Sequence, residues 1–177
     1  MGAYHRAVKR QIAPEILDSL SGDDPGALRS RRDLRLINFL MGNERWILKQ
    51  NHCGGVIELG AGEGKLTQKL AERGQVVGLD FQERPDDLEI PWLAGDLFQN
   101  LPEVEGETVV ANLILHHFRD DQLGQLGKLI RERRSLIAVE PWRSRISLAE
   151  GYVLWPLVNR ITKHDMMVSI RAGFRNG

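Results

Sequence analysis

The sequence predicts an α/β fold: a mostly parallel sheet with helices on both faces. Three observations predict it. Short apolar runs recur at 56–59, 76–79, 92–94, 108–111 and 135–139, the first with a β-branched bias, as buried parallel strands do. Helical periodicity falls between several of them. Leu66, Leu70 and Ala71 form one apolar stripe, and Leu123, Leu126, Leu129 and Ile130 form another. A glycine-rich turn, Gly60, Gly62 and Gly64, directly follows the first run, at the strand end where open α/β sheets bind ligands.

The stretch 55–81 organises the rest. It reads as strand, glycine loop, helix, strand, acid. Glycine permits φ > 0 and close approach of backbone to a ligand. The helix opens near Lys65, and Gly74 stands where a helix-ending glycine is expected, after Lys69 and Arg73. The second strand ends on Asp80, a carboxylate able to accept two hydrogen bonds from a ribose diol. The chemistry implied is capture of a small nucleoside-like molecule.

Two common nucleotide motifs do not fit. The dinucleotide fingerprint needs a third glycine where Lys65 stands. A P-loop needs Ser or Thr after Gly64-Lys65, where Leu66 stands, and a glycine at Leu59. What remains is E-x-G-x-G-x-G, from Glu58 through Gly60, Gly62 and Gly64. This resembles motif I of the class I S-adenosylmethionine (SAM)-dependent methyltransferases of small-molecule type, and the resemblance extends over residues 55–141. It implies a Rossmann-like methyltransferase sheet that binds SAM and releases S-adenosylhomocysteine. The cofactor residues would be Glu58 and the loop Gly60, Ala61, Gly62 and Gly64 against the methionine part. Asp80 would hold the ribose, with Phe81 beside the adenine. Asp96 and Leu97 would lie at the adenine, and Asn112 and Leu113 near the methyl group. His116 or His117 would reach the acceptor as a general base, a role suited to a histidine titrating near neutrality. SAM carries no phosphate, so the missing phosphate cradle is consistent.

Ahead of the sheet, residues 1–54 read as a helical lid, with the SAM-binding domain over 55–177. A helix is expected from Pro14, carrying Ile16, Leu17 and Leu20 and ending at Ser21-Gly22. Asp24-Pro25 reads as a cap followed by proline at the first helical position. The helix it opens carries Leu28, Leu34, Leu36, Ile37 and Leu40 and ends near Met41-Gly42. Asn43 is expected to cap a third helix bearing Trp46, Ile47 and Leu48. Arg29, Arg31, Arg32 and Arg35 form a solvated helix face or a site for an acidic substrate group. This lid is expected to select the substrate.

After Asp80, residues 81–90 are too few for a crossover helix, so a turn is expected there, and Gly95-Asp96 marks another. Asp120 is expected to cap a helix ending in Arg131 to Arg134. Residues 144–159 look helical, with a kink at Pro156, and 160–177 show no pattern. His164-Asp165 is a second acid/base pair to consider. The family's last helix and its sixth and seventh strands are not legible, which implies a truncated or atypical C-terminal part. An uncovered edge on the fifth strand would invite pairing with another chain, so a homodimer is an option.

Composition narrows the classes. The 24 basic and 24 acidic residues cancel, which weighs against a nucleic-acid partner. Cys53 is the only cysteine, so no disulfide framework or thiolate metal cluster is expected. Adjacent histidines do not share a helix face, and no metal is expected. No apolar run approaches the ~18 residues of a membrane span. Arg6 stands where a myristoylation signal opening at Met1-Gly2 needs Ser or Thr. The expectation is a cytoplasmic enzyme with no membrane partner that methylates a small molecule, at oxygen. Three alternatives are weaker. Residues 58–73 also resemble the rRNA adenine dimethylase version of motif I, but those enzymes carry Asn-Leu-Pro-Tyr/Phe where this chain has Asn112-Leu113-Ile114-Leu115, so the aromatic that would stack on a flipped base is absent. The chain could instead be a SAM-binding partner protein without activity. An NAD(P) oxidoreductase would need the absent third glycine.

Overall fold

The computed structural model describes residues 9–175 apart from Gly22. The readings at Met1-Gly2, Arg6 and Gly22 lie outside the described residues. Five strands form one sheet: β1 (Val56–Leu59), β2 (Val76–Asp80), β3 (Trp92–Ala94), β4 (Thr108–Asn112) and β5 (Ser135–Val139). Their order is β3-β2-β1-β4-β5, and every pairing is parallel. The chain moves outward from β1 through β2 to β3, then returns to the other side of β1 for β4 and β5. The crevice outside the carboxyl end of β1 is therefore a topological switch point, where ligands bind in open α/β sheets. No strand beyond these five is seen among the described residues.

The chain clusters into two compact units: residues 42–139, and residues up to 41 together with those from 140 on. The first holds the sheet with α2 (Asn43–Lys49), α3 (Lys65–Ala71), α4 (Leu97–Asn100) and α5 (Asp120–Ile130). Strand alternation sends Val56, Val110 and Ile137 into a core with Ile47 of α2 and Leu66 and Leu70 of α3. Ile57, Leu59 and Val109 are also fully buried, so both faces of the central strands β1 and β4 are covered, whereas Leu136 on the edge strand β5 is exposed. Between β2 and β3 there is no helix. The Leu88 N–H donates to the Pro85 carbonyl at 3.0 Å and closes a turn, as the short connection requires.

Three helix boundaries differ from expectation. α3 stops at Ala71, with Glu72 at its C-cap, so Gly74 lies beyond the cap. Asn43 is the first residue of α2, and Gly42 (φ 71°) occupies the cap position. Arg119 is the N-cap of α5, its N–H donating to Gln122 Oε1 at 3.0 Å. Asp120 lies instead in the first turn, where a carboxylate favours the positive end of the helix.

The second unit contains α1 (Pro25–Met41), α6 (Arg145–Leu154) and α7 (Arg160–Ala172). Asp24 caps α1, its Oδ1 accepting from the N–H groups of Gly26 and Ala27 at 2.7 and 2.8 Å. Asp24→Ala should cost about 1 kcal/mol. Urea unfolding measures this, and an unchanged midpoint would contradict the cap. The helix expected from Pro14 is a single 3-10 turn, Leu17–Ser19. Both oxygens of Asp165 take the N–H groups of Ile16 and Leu17, at 2.8 and 3.0 Å. A carboxylate from α7 thus ends the segment that local propensity would have extended. His164 Nδ1 also lies 2.8 Å from Asp165 Oδ1, and Asp165 is 1% exposed. This pair anchors structure in its own unit.

Residues 144–159 do not form one kinked helix. Ser144 caps α6, which ends at Leu154, and Pro156 sits in the 3-10 turn Trp155–Leu157. Residues 160–172, patternless in sequence, are the 13-residue α7. Asn159 Oδ1 caps it, accepting from Ile161 and Thr162 at 2.8 and 3.1 Å. Its buried face carries Thr162 and Asp165 beside Met167, Val168 and Ala172, and those two polar residues interrupt the apolar stripe. No helix among the described residues is long and apolar enough to cross a membrane.

Candidate functional site

The carboxyl ends of the parallel strands bring the loop residues together. Gly60, Gly62 and Gly64 all have left-handed φ, at 63°, 56° and 71°. A Cβ on Gly60 would lie 2.7 Å from Ile114 Cγ1, and one on Gly64 would lie 2.5 Å from Leu88 Cδ2. The loop is pressed against side chains at both ends. A Cβ on Gly62 would meet nothing within 4 Å, so the middle of the loop faces open space. The Ala61 N–H bonds the Leu79 carbonyl at 3.1 Å, and the Gly64 N–H bonds the Ala61 carbonyl at 2.9 Å. These bonds hold the loop across β2 and onto the start of α3.

Asp80, at the tip of β2, is fixed by two backbone donors. Its Oδ2 accepts from the Gly62 N–H at 2.7 Å, and its Oδ1 accepts from the Gln82 N–H at 2.9 Å. A carboxylate has about four lone-pair sites, so each oxygen keeps capacity for one more donor. Two adjacent hydroxyls are the natural complement. The Gly95 N–H donates to the Asp80 carbonyl at 2.8 Å and ties the end of β3 to the same place. Asp96 caps α4, its Oδ1 accepting from the Phe98 N–H at 2.8 Å. Leu97 opens α4 and is half-buried. Phe81 is 83% exposed.

Glu58 lies under the loop and is 2% exposed. Thr67 Oγ1 donates to its Oε2 at 2.6 Å. Burial pushes its pKa up to about 8; the Thr67 bond opposes the rise, and the nearby Glu44 and Asp80 add to it. The carboxyl is therefore mostly protonated at neutral pH.

On the other side of β1, Asn112 ends β4. Its buried Oδ1 has no hydrogen-bond partner among the described residues. Leu113 has φ 59° and is the only non-glycine residue with positive φ among the described residues. That conformation costs about 1–2 kcal/mol, and such strain gathers at functional sites. The Leu113 N–H bonds the Val139 carbonyl at 2.8 Å, which holds the bend and lets Ile114 lean on Gly60. His116 and His117 follow in the 3-10 turn Leu115–His117, with ring centroids 4.3 Å apart. His116 is buried and His117 half-buried. Phe98 and Phe118 meet edge to face at 5.4 Å.

The structure thus joins the glycine loop directly to Asp80, and to the Asn112–Ile114 segment through packing. Four further residues shape the site: Thr67, Gln82, Leu88 and Ile114. None carries a motif. In sequence they read as helix, turn and strand-flanking positions, and only the close contacts to Glu58, Asp80, Gly64 and Gly60 reveal them.

No family model matches the chain, and no curated protein matches it. Solved structures do. A SAM-dependent methyltransferase from Archaeoglobus fulgidus superposes with a TM-score of 0.50 at 19% identity, covering 67% of this chain and 58% of that one. The plantazolicin methyltransferase BamL, solved with a triazolic desmethylPZN analogue and SAH, gives 0.53 at 17% identity, covering 82% and 57%. The pyocyanin biosynthetic protein PhzM gives 0.58 at 19% identity, covering 86% and 49%. This is the class I methyltransferase fold. At these identities the likeness is one of fold, and the chain spans about half the length of the structures it matches. The class I methyltransferase fold explains why the glycine loop, Asp80 and Asp96 lie along one edge: they follow the first three parallel strands at their carboxyl ends.

Proposed function

We propose that the protein binds SAM at the carboxyl ends of β1, β2 and β3 and transfers its methyl group to the oxygen of a small-molecule acceptor. The observation that carries this reading is Asp80, whose carboxylate is held by Gly62 and Gln82 beside three left-handed glycines and keeps two acceptor sites for a ribose diol. The residues fit the cofactor: open space over Gly62 admits its methionine part, and no phosphate ligand is required. Asp96 and Leu97 would border the adenine, with Phe81 available beside it, and Asn112 and Leu113 would approach the reacting centre. Bound SAM supplies an electrophilic methyl on a sulfonium. The chain's own residues align the acceptor for in-line displacement and exclude water, a large share of such a barrier. His116 or His117 takes the acceptor's hydroxyl proton.

Thermal shift with SAM, S-adenosylhomocysteine and NAD tests the cofactor: the first two should raise Tm, by up to about 3 kcal/mol of added stability at a hundredfold excess over Kd, and NAD should not. A shift with NAD alone would sink the reading. The histidine role is tested with labelled SAM and small hydroxyl-bearing acceptors. The His116→Ala/His117→Ala double variant should transfer label about a hundredfold more slowly or worse, with SAM affinity within about twofold of the parent. Undiminished transfer would remove both histidines from the mechanism.

A further inference from the structure

Glu58 is an unusual group to bury so deeply under a ligand loop. Its neighbours on the sheet are Gly78 of β2 and Val110 of β4, neither of which offers charge. A Cβ on Gly78 would lie 2.6 Å from the Trp92 ring, so that side is filled by an aromatic. Besides burial, the acids Glu44 of α2 and Asp80 of β2 push the Glu58 carboxyl toward its protonated form. The two lysines of α3 are bonded to other acids, Lys69 to Glu44 and Lys65 to Glu63. The polar contact left to the carboxyl is the hydroxyl of Thr67, which is itself fully buried on α3.

We propose that Thr67 is a positioning residue: its hydroxyl fixes the Glu58 carboxyl under the glycine loop so that seating a cationic ligand above the loop expels one proton from that carboxyl. The inference rests on the reading that SAM, which carries a sulfonium and an ammonium, occupies the loop. In the ligand-free protein burial disfavours a charge on Glu58, the nearby Glu44 and Asp80 add to that, and Lys69 is paired with Glu44 rather than with Glu58, so a neutral Glu58 is favoured. An arriving positive charge reverses that balance. The carboxyl O–H bond breaks, the proton passes to solvent, and the carboxylate left behind is balanced by the ligand's charge; nothing is oxidised or reduced. Thr67 matters because a hydroxyl donating to a carboxylate favours the charged form. Without that donor, the buried anion would have no hydrogen bond from α3, and the proton would stay.

Isothermal titration with SAM at pH 7, in phosphate and in Tris, reads the proton count from the difference in heats. With a carboxyl titrating near 8, the parent should release close to one proton per ligand, about 0.9 at most. Glu58→Gln should bind SAM with heats that no longer depend on the buffer. Thr67→Val should bind about tenfold more weakly and release less than half a proton, and Thr67→Ser should restore both values. A role confined to packing would move affinity in Thr67→Val but leave the proton count unchanged, and that result would overturn the proposal. So would buffer-independent heats in the parent, or a release that persists in Glu58→Gln; the parent and Glu58→Gln decide the matter even where Thr67→Val fails to fold. Absence of any binding heat with SAM would instead overturn the reading of the site, and the inference with it.

Discussion

Gly60→Val is expected to lower stability by about 2–5 kcal/mol and to abolish measurable SAM binding. Two costs add. Gly60 sits at φ 63°, where a β-branched side chain is strained by about 1–2 kcal/mol or more. Its new Cβ would also fall within 3.0 Å of three Ile114 side-chain atoms, the Cβ among them. That branch point cannot swing away as a side-chain tip can, and overpacking of this kind costs about 1–3 kcal/mol. Relief would require Ile114 to withdraw, which moves the strained Leu113 bend and the loop together. Gly124 provides the control. It lies within α5, and a Cβ there would meet nothing within 4 Å. Gly124→Ala should therefore stabilise by about 0.5–1 kcal/mol. Chemical denaturation of both variants checks the pair. Equal effects at the two positions would mean that the loop geometry is not the constraint described.

The second large effect is on pH dependence. An unfolded chain would titrate Glu58 at its ordinary value of 4.5, whereas burial raises it to about 8 in the folded protein. The folded state holds the proton more tightly, so unfolding releases it between those values. The contribution is fully present below pH 4.5 and is lost as pH rises through 8, by an amount on the order of 4–5 kcal/mol. Unfolding free energies of the parent at pH 5 and pH 9 should therefore differ strongly in this direction after subtraction of the Glu58→Gln profile. Glu58→Gln keeps a neutral group under the loop at every pH and should be the more stable protein at pH 9. Parallel profiles for the two proteins would mean that Glu58 is not the group responsible. The test is run without ligand, because the inference above has SAM removing that same proton.

The strands were readable because each is a short apolar run in a sheet whose central strands are buried on both faces, and the Asp24-Pro25 start of α1 was readable because capping is a local code. The short 81–90 connection was legible from length alone. α7 was not, because Thr162 and Asp165 turn inward and find polar partners there: Thr162 Oγ1 meets the Ser30 hydroxyl at 2.9 Å, and Asp165 holds the N–H groups of Ile16 and Leu17. A periodicity argument counts such residues as outward-facing. The extra helix expected from Pro14 failed for the same cause, since its partner lies about 150 residues away in the chain. At the site, the glycine loop and Asp80 could be found by motif. The Glu58–Thr67 bond and the left-handed bend at Leu113 could not, because the first joins two elements across a turn and the second is a backbone state that leucine rarely adopts.

The central claim is that Asp80 and the three glycines make one seat for a sulfonium nucleoside, and a crystal structure with S-adenosylhomocysteine tests it most directly. The account predicts both ribose hydroxyls on the Asp80 carboxylate, with the amino-acid part over Gly60 to Gly64. A nucleoside bound elsewhere on the chain, or a ribose that bypasses Asp80, would contradict it.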